Sequence, residues 1–394
     1  MSARPHPSAI EILSHLVAFD TTSRHSNLPL IDYAESLLVA CGASAERTYD
    51  ATGSKANLWA TIGPPEVAGI VLSGHTDTVP VDGQDWASNP FELVERDGLL
   101  HGRGTCDMKG FLAVALSLAP AIAAARPDRP VHFALSYDEE VGCIGVRGLV
   151  AELVRKPVLP LGCIVGEPTL MEVAIGHKAK RSLRIVVRGT VGHSSRAPEF
   201  VNAVEHAARI VVKIREMGKE LASSGARDAL YDIAHTTAHV GTMHGGTALN
   251  IVPDRCEITC EFRVLPNDDA DALVGEITSF IRQEVEPEMQ ALAPEAGVDI
   301  EMTAAFPGLD MAGDSELAMA ARRGARRNDH IKVAYGTEAG LFQEAGIPTI
   351  VCGPGSIAQA HKPDEFVAME QLAACERFLV ALLSEHGCLV ATES

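Results

Sequence analysis

Short, continuously apolar runs that each end in a polar island set the limits on how this chain can fold. Residues 69–73, 131–136, 162–165 and 348–351 are such runs, and an apolar strand without alternation is one buried on both faces. Between them lie stretches with helical periodicity: 8–17, 30–41 (stopped at Gly42), 112–125, 145–153, 315–326, 338–345 and 370–385. The alternation predicts an α/β fold, with a mixed sheet covered by helices on both faces.

The rhythm changes near Lys180. Residues 182–188 alternate as a half-exposed strand and 201–219 form a long amphipathic helix. Strands at 237–243 and 257–265, a helix at 270–289 and a strand at 298–303 follow. That is a β-α-β-β-α-β module of two layers. After Phe306-Pro307-Gly308 the earlier rhythm returns. A discontinuous domain, 1–180 with 305–394, is therefore expected to carry an inserted α+β module over 181–304. A chain of 394 residues is long enough for two cores.

Charge and cysteine usage narrow the function classes. A formal net charge of −19 argues against nucleic acid and anionic membrane as partners. The longest apolar run, 111–125, is interrupted by Ser117 and Pro120 and is too short to span a bilayer. No export signal is visible at the N-terminus. Nine cysteines without a CxxC pair fit a reducing cytoplasm. Cys256 and Cys260, four apart on a strand, share a face and read as a buried thiol pair rather than a metal or redox pair.

The islands carry the chemistry. They read GHTDTVP (74–80), GRGTCDMKG (102–110), DEE (138–140), GEPT (166–169) and AHKPDEF (360–366). In open α/β sheets, ligands bind beyond the carboxyl ends of the strands. His75, Glu139, Glu140 and Glu167 all follow apolar runs directly. Carboxylates mixed with imidazole suit zinc, cobalt or manganese. Two ions roughly 3.5–4 Å apart need a bridging carboxylate, and Asp107, in a glycine-braced loop, has that form.

In this order the islands resemble the M20 metallopeptidase family, and the resemblance covers essentially the whole chain. It implies two zinc ions, replaceable by cobalt or manganese, with His75 and Glu167 on one, Glu140 and His361 on the other, and Asp107 between them. It also implies Glu139 as general base and Asp77 as the carboxylate that orients the His75 imidazole. Gly192-His193-Ser194-Ser195 matches the family's histidine motif, so His193 is expected to steady the oxyanion across a homodimer interface. Capping of the next helix is the plain alternative for it. Asn250 and Arg263 match substrate-gripping positions, with an exposed ion pair the alternative for Arg263.

The implied reaction is metal-assisted hydrolysis of the amide of a small N-acyl amino acid. GEPT, GHKAKRS (176–182), YGTEAG (335–340) and GPGSIAQAHKPDEF (353–366) are similar in wording to the branch that deacetylates N-acetylornithine in arginine biosynthesis. Removal of succinate from succinyl-diaminopimelate, a broader N-acyl amino acid specificity, and a catalytically silent metal-containing binding protein are the alternatives. Lys178 or Arg181 is expected to hold the substrate carboxylate. Backbone N–H groups of a turn at Gly353, Gly355 and Ser356 are expected to do the same, and Glu338 to meet the ornithine ammonium.

Overall fold

Both faces of the central strands are covered, which is why they are mostly apolar. Ala56–Ile62, Ile70–His75, Val131–Ser136, Gly162–Pro168 and Thr349–Gly353 are buried along their whole length in a computed structural model that describes residues 6–389. They belong to a nine-stranded mixed sheet. Its order is Ser44–Tyr49, Ala56–Ile62, Val131–Ser136, Ile70–His75, Gly162–Pro168, Thr349–Gly353, Ala174–His177 and Leu309–Asp310, with Ile331–Val333 paired to Ala174–His177. The four strands from Val131–Ser136 to Thr349–Gly353 run parallel. Their carboxyl ends therefore emerge along one edge. The fold class read from the sequence is the one observed.

Helices cover this sheet. Ala9–Ala18 starts at a capping box in which Ser8 and Glu11 exchange hydrogen bonds, and it packs on Lys109–Ser117. Every residue of Lys109–Leu116 is buried. The helix expected over 112–125 is two helices, Lys109–Ser117 and Ala119–Ala125. Pro120 lacks the N–H that a continuous helix needs, and it sits in the first turn of the second one, where no N–H is required. Among the described residues no helix is long and apolar enough to cross a membrane.

The chain divides into two compact units. One runs to Gly176 and resumes over Leu309–Lys332 and from Thr337; the other holds His177–Gly308 and Val333–Gly336. The second unit has its own antiparallel sheet, in the order Thr237–Gly245, Arg255–Val264, Ala179–Arg188 and Gly297–Phe306. Burial alternates strictly along Arg255–Val264 from Cys256 onward, because helices Ala203–Ser224 and Ala270–Phe280 cover only one face. Cys256 and Cys260 both lie on that covered face, unpaired. The helix expected over 270–289 breaks into Ala270–Phe280, a π-turn Ile281–Val285 and Glu286–Leu292. Pro287 has no N–H to offer Gln283, and the widened turn accommodates that loss.

Candidate metal centre

Each parallel strand delivers a side chain to the same edge. His75 is the last residue of Ile70–His75, Glu139 and Glu140 follow Val131–Ser136, and Glu167 lies near the end of Gly162–Pro168. Asp107 comes from the loop that precedes helix Lys109–Ser117. His361 comes from the segment after Thr349–Gly353 and has a left-handed backbone, φ +64°.

The two oxygens of Asp107 face different partners. Oδ1 lies 3.1 Å from Nε2 of His75, which is 3.6 Å from Oε1 of Glu167. Oδ2 lies 3.3 Å from Nε2 of His361, which is 3.1 Å from Oε2 of Glu140. Donors about 2.0–2.1 Å from a tetrahedral ion stand about 3.3 Å from one another. The observed spacings are those of two donor sets that share one carboxylate. His75, Glu139 and Glu167, and likewise His75, Asp107 and Glu140, offer ligand atoms that all lie within 4.8 Å of each other.

Electrostatics give the same fit. Burial pushes Glu139 up to about 8, with Glu140 and Asp77 adding to the rise against His75. Burial likewise raises Glu140 to about 7, helped by Asp107, and holds Glu167 well above the carboxylate range. On His75, burial opposes the charge, but Asp107 and Glu167 outweigh it and keep the imidazole well above its ordinary value. Hydrogen bonds donated to Asp107 and Glu140 lift His361 to about 10. Four carboxylates are crowded into a buried space with too little positive charge. Two dications would supply the missing charge, and neutral imidazoles would then act as ligands.

Asp77 works differently from the expectation. Its carboxylate Oδ1 stands 3.7 Å from Nδ1 of His75, too far for a hydrogen bond. The backbone carbonyl of Asp77 accepts from that Nδ1 at 2.9 Å instead. A carbonyl can only accept, so a proton sits on Nδ1, and Nε2, which faces Asp107 and Glu167, would be the nitrogen free to ligate an ion once its own proton is displaced. The Asp77 carboxylate receives the N–H groups of Glu139 (3.1 Å) and Glu140 (3.3 Å) and the hydroxyl of Ser23 (2.7 Å). It fixes the segment that carries the expected base. Cys143 also touches that base, its thiol donating to Glu139 Oε1 at 3.2 Å. Ser23 and Cys143 escaped notice in the sequence because neither stands in a charged island.

Several expected substrate contacts are occupied internally. Glu338 is fully buried, and its two oxygens accept from Ser73 (2.6 Å) and Ser136 (2.7 Å), so it is not presented to a substrate ammonium. Lys178 is buried too, and its ammonium donates to the carbonyls of His235 and Ile233 (2.8 Å) over the Tyr231 ring. Arg181 is held by Asp271 and the Phe306 carbonyl. The N–H of Gly353 goes to Thr169 Oγ1 and that of Gly355 to Gln371 Oε1, both at 3.3 Å, while the Ser356 hydroxyl accepts from Ala358 N–H. The Gly353 and Gly355 N–H groups are therefore committed within the fold. Arg263 makes the ion pair, 3.1 Å to Glu261.

In the second unit, His193 and Asn250 are neighbours. Gly192–His193 pairs with Ile251–Val252, and the Asn250 carbonyl accepts from Ser194 N–H at 3.1 Å. Nδ1 of His193 accepts from Ser195 N–H at 3.2 Å, capping the short turn Ser194–Glu199, and the imidazole stays exposed.

Known proteins resemble this chain along its length. An acetylornithine deacetylase of Myxococcus xanthus is 35% identical over 97% of this chain and 98% of its own length. One from Photorhabdus laumondii is 32% identical over the same shares. The crystal structure of an M20 family metallo-carboxypeptidase from Sulfolobus solfataricus superposes with a TM-score of 0.77 at 17% identity, covering 97% of this chain and 100% of that one. The pattern of peptidase family M20/M25/M40 spans residues 71–385, from the strand that ends in His75 to the closing helix. The chain belongs to that family.

Proposed function

We propose that this protein is a two-metal amidohydrolase that releases the acyl group of N-acyl amino acids, with N-acetylornithine as preferred substrate and zinc as the native metal. Cobalt or manganese would substitute. The observation that carries the reading is the split of Asp107, one oxygen toward His75 and Glu167 and the other toward His361 and Glu140. The acetylornithine deacetylases that match this chain nearly end to end support the choice of substrate.

His75, Asp107 and Glu167 would hold one ion, and Asp107, Glu140 and His361 the other. When bound, such a pair supplies Lewis-acid polarisation of a carbonyl and lowers the pKa of water. The chain's own residues do the rest. Glu139 accepts the proton of the attacking water and returns it to the leaving amine. The Asp77 carboxylate holds the Glu139 backbone in place, and its carbonyl keeps the His75 proton on Nδ1. We further propose a homodimer in which His193 donates to the oxyanion in the partner's site, with Asn250 beside it. Nine unpaired cysteines support residence in a reducing cytoplasm.

The test is a deacylation panel on zinc-loaded protein: N-acetylornithine, N-succinyl-diaminopimelate, and N-acetyl and N-formyl neutral amino acids. N-acetylornithine should have the highest kcat/KM, and Glu139→Ala should lose about 10²–10⁴-fold in kcat while keeping its metal. If another substrate leads, the named substrate is wrong but the reaction class stands. Near-wild-type turnover by the Glu139 variant would refute the mechanism.

A further inference from the structure

Glu365 lies inside the last polar island and has no part in the chemistry above, yet it is only 1% exposed. Its Oε1 accepts the N–H groups of Cys106 (2.9 Å) and Asp107 (3.1 Å). Its Oε2 accepts the N–H of Gly104 (3.1 Å) and Nη1 of Arg103 (2.7 Å). A carboxylate has about four acceptor positions, and all are filled. Three of the four donors are amides of the loop that presents Asp107, Asp107's own N–H among them, and the fourth is Arg103.

Arg103 extends the cluster. It is 1% exposed, donates from Nη2 to Gln84 Oε1 at 2.6 Å and from Nη1 to the Lys362 carbonyl at 3.3 Å, and lies 5.0 Å over the Trp86 ring. Gln84 in turn donates from Nε2 to the His361 carbonyl at 3.0 Å. Strand pairing sets this register: Leu99–His101 runs antiparallel to Phe366–Ala368 with His101 opposite Phe366, and Gly102 N–H reaches the Glu365 carbonyl at 3.0 Å.

We propose that Glu365 is the positioning residue of the metal centre, one buried carboxylate that fixes the backbone of Asp107 directly and that of His361 through Arg103 and Gln84. The inference rests on the reading that Asp107 and His361 are metal ligands. A buried ion pair with Arg103 would need only one oxygen of Glu365. The three loop amides converging on it are what a ligand-holding role requires. One anion then sets the separation between the shared ligand and the ligand of the second ion, although they stand far apart in sequence.

Cobalt titration of the metal-free full-length protein, followed by calorimetry and by the visible absorption of bound Co2+, tests this. In Glu365→Gln an amide nitrogen faces loop N–H donors, so Co2+ affinity should fall roughly 10–100-fold and the absorption bands should change. Gln84→Ala should weaken chiefly one of the two equivalents, that of His361. Wild-type isotherms and spectra in a Glu365→Gln protein that melts cooperatively would overturn the proposal. If that variant does not fold, Glu365→Asp is read in its place. If neither folds, Gln84→Ala alone decides, and a wild-type isotherm there overturns it. Failure of the wild-type protein to bind two equivalents of Co2+ would instead refute the two-metal reading itself.

Discussion

Asp77 divides its work between main chain and side chain, and that division can be separated by mutation. The carbonyl that holds the His75 proton survives any substitution, whereas the carboxylate that receives the Glu139 and Glu140 amides does not. Asp77→Asn turns an N–H donor toward those donors or toward Ser23. We expect kcat to fall roughly 10–100-fold, with affinity for the ion held by His75 changed far less. Equal losses in both, measured by steady-state kinetics and metal titration, would mean that the carboxylate orients the imidazole after all. The family resemblance carried Asp77 as the carboxylate that orients His75. Which of its atoms does the orienting depends on rotamer and backbone path, and no spacing rule encodes those.

At the scale of elements, strand Val131–Ser136 serves two ends. Its carboxyl end leads to Glu139 and Glu140, and near its start His132 is buried, hydrogen-bonded to Thr61 (2.9 Å) and stacked 4.7 Å from the Trp59 ring. Burial, with a smaller contribution from Lys156, pushes His132 down to about 4. An unfolded histidine titrates near 6.5. Between those values the unfolded chain takes up a proton that the folded chain refuses, so stability is lost as pH falls through the window. His132 should cost the fold roughly 2 kcal/mol between pH 7 and pH 5, and His132→Gln should remove that part of the slope in urea unfolding. Identical slopes in the two proteins would refute it. The apolar centre of this strand was legible because continuous burial leaves a continuous apolar run. Strand Ser44–Tyr49 was not, since an edge strand with exposed polar side chains has no such run. The helices expected over 112–125 and 270–289 were read correctly in position but not in continuity, because Pro120 and Pro287 each act through one missing N–H.

For the whole molecule, the proposed homodimer makes a quantitative demand. If His193 serves the partner's site, a heterodimer of His193→Ala and Glu139→Ala protomers holds one doubly damaged site and one intact site. After subunit exchange, about half the dimers are mixed and half of their sites are whole, so about a quarter of wild-type activity should return. No recovery after verified exchange would place His193 in its own protomer's site or outside the chemistry. The order of apolar runs and polar islands was enough to determine the fold class and to bring His75, Glu139, Glu140 and Glu167 to one sheet edge, because both follow from which strands are buried and where they end; Asp107 and His361 joined them through the family resemblance. Tertiary structure alone decided which oxygens, amides and carbonyls meet. Glu338, Lys178 and the glycine turn were drawn inward by partners distant in sequence. Glu365 became the carboxylate beneath Asp107 only because two short strands pair in one register. A hydrogen bond depends on angstroms, and angstroms between remote residues are set by packing, not by spacing along the chain.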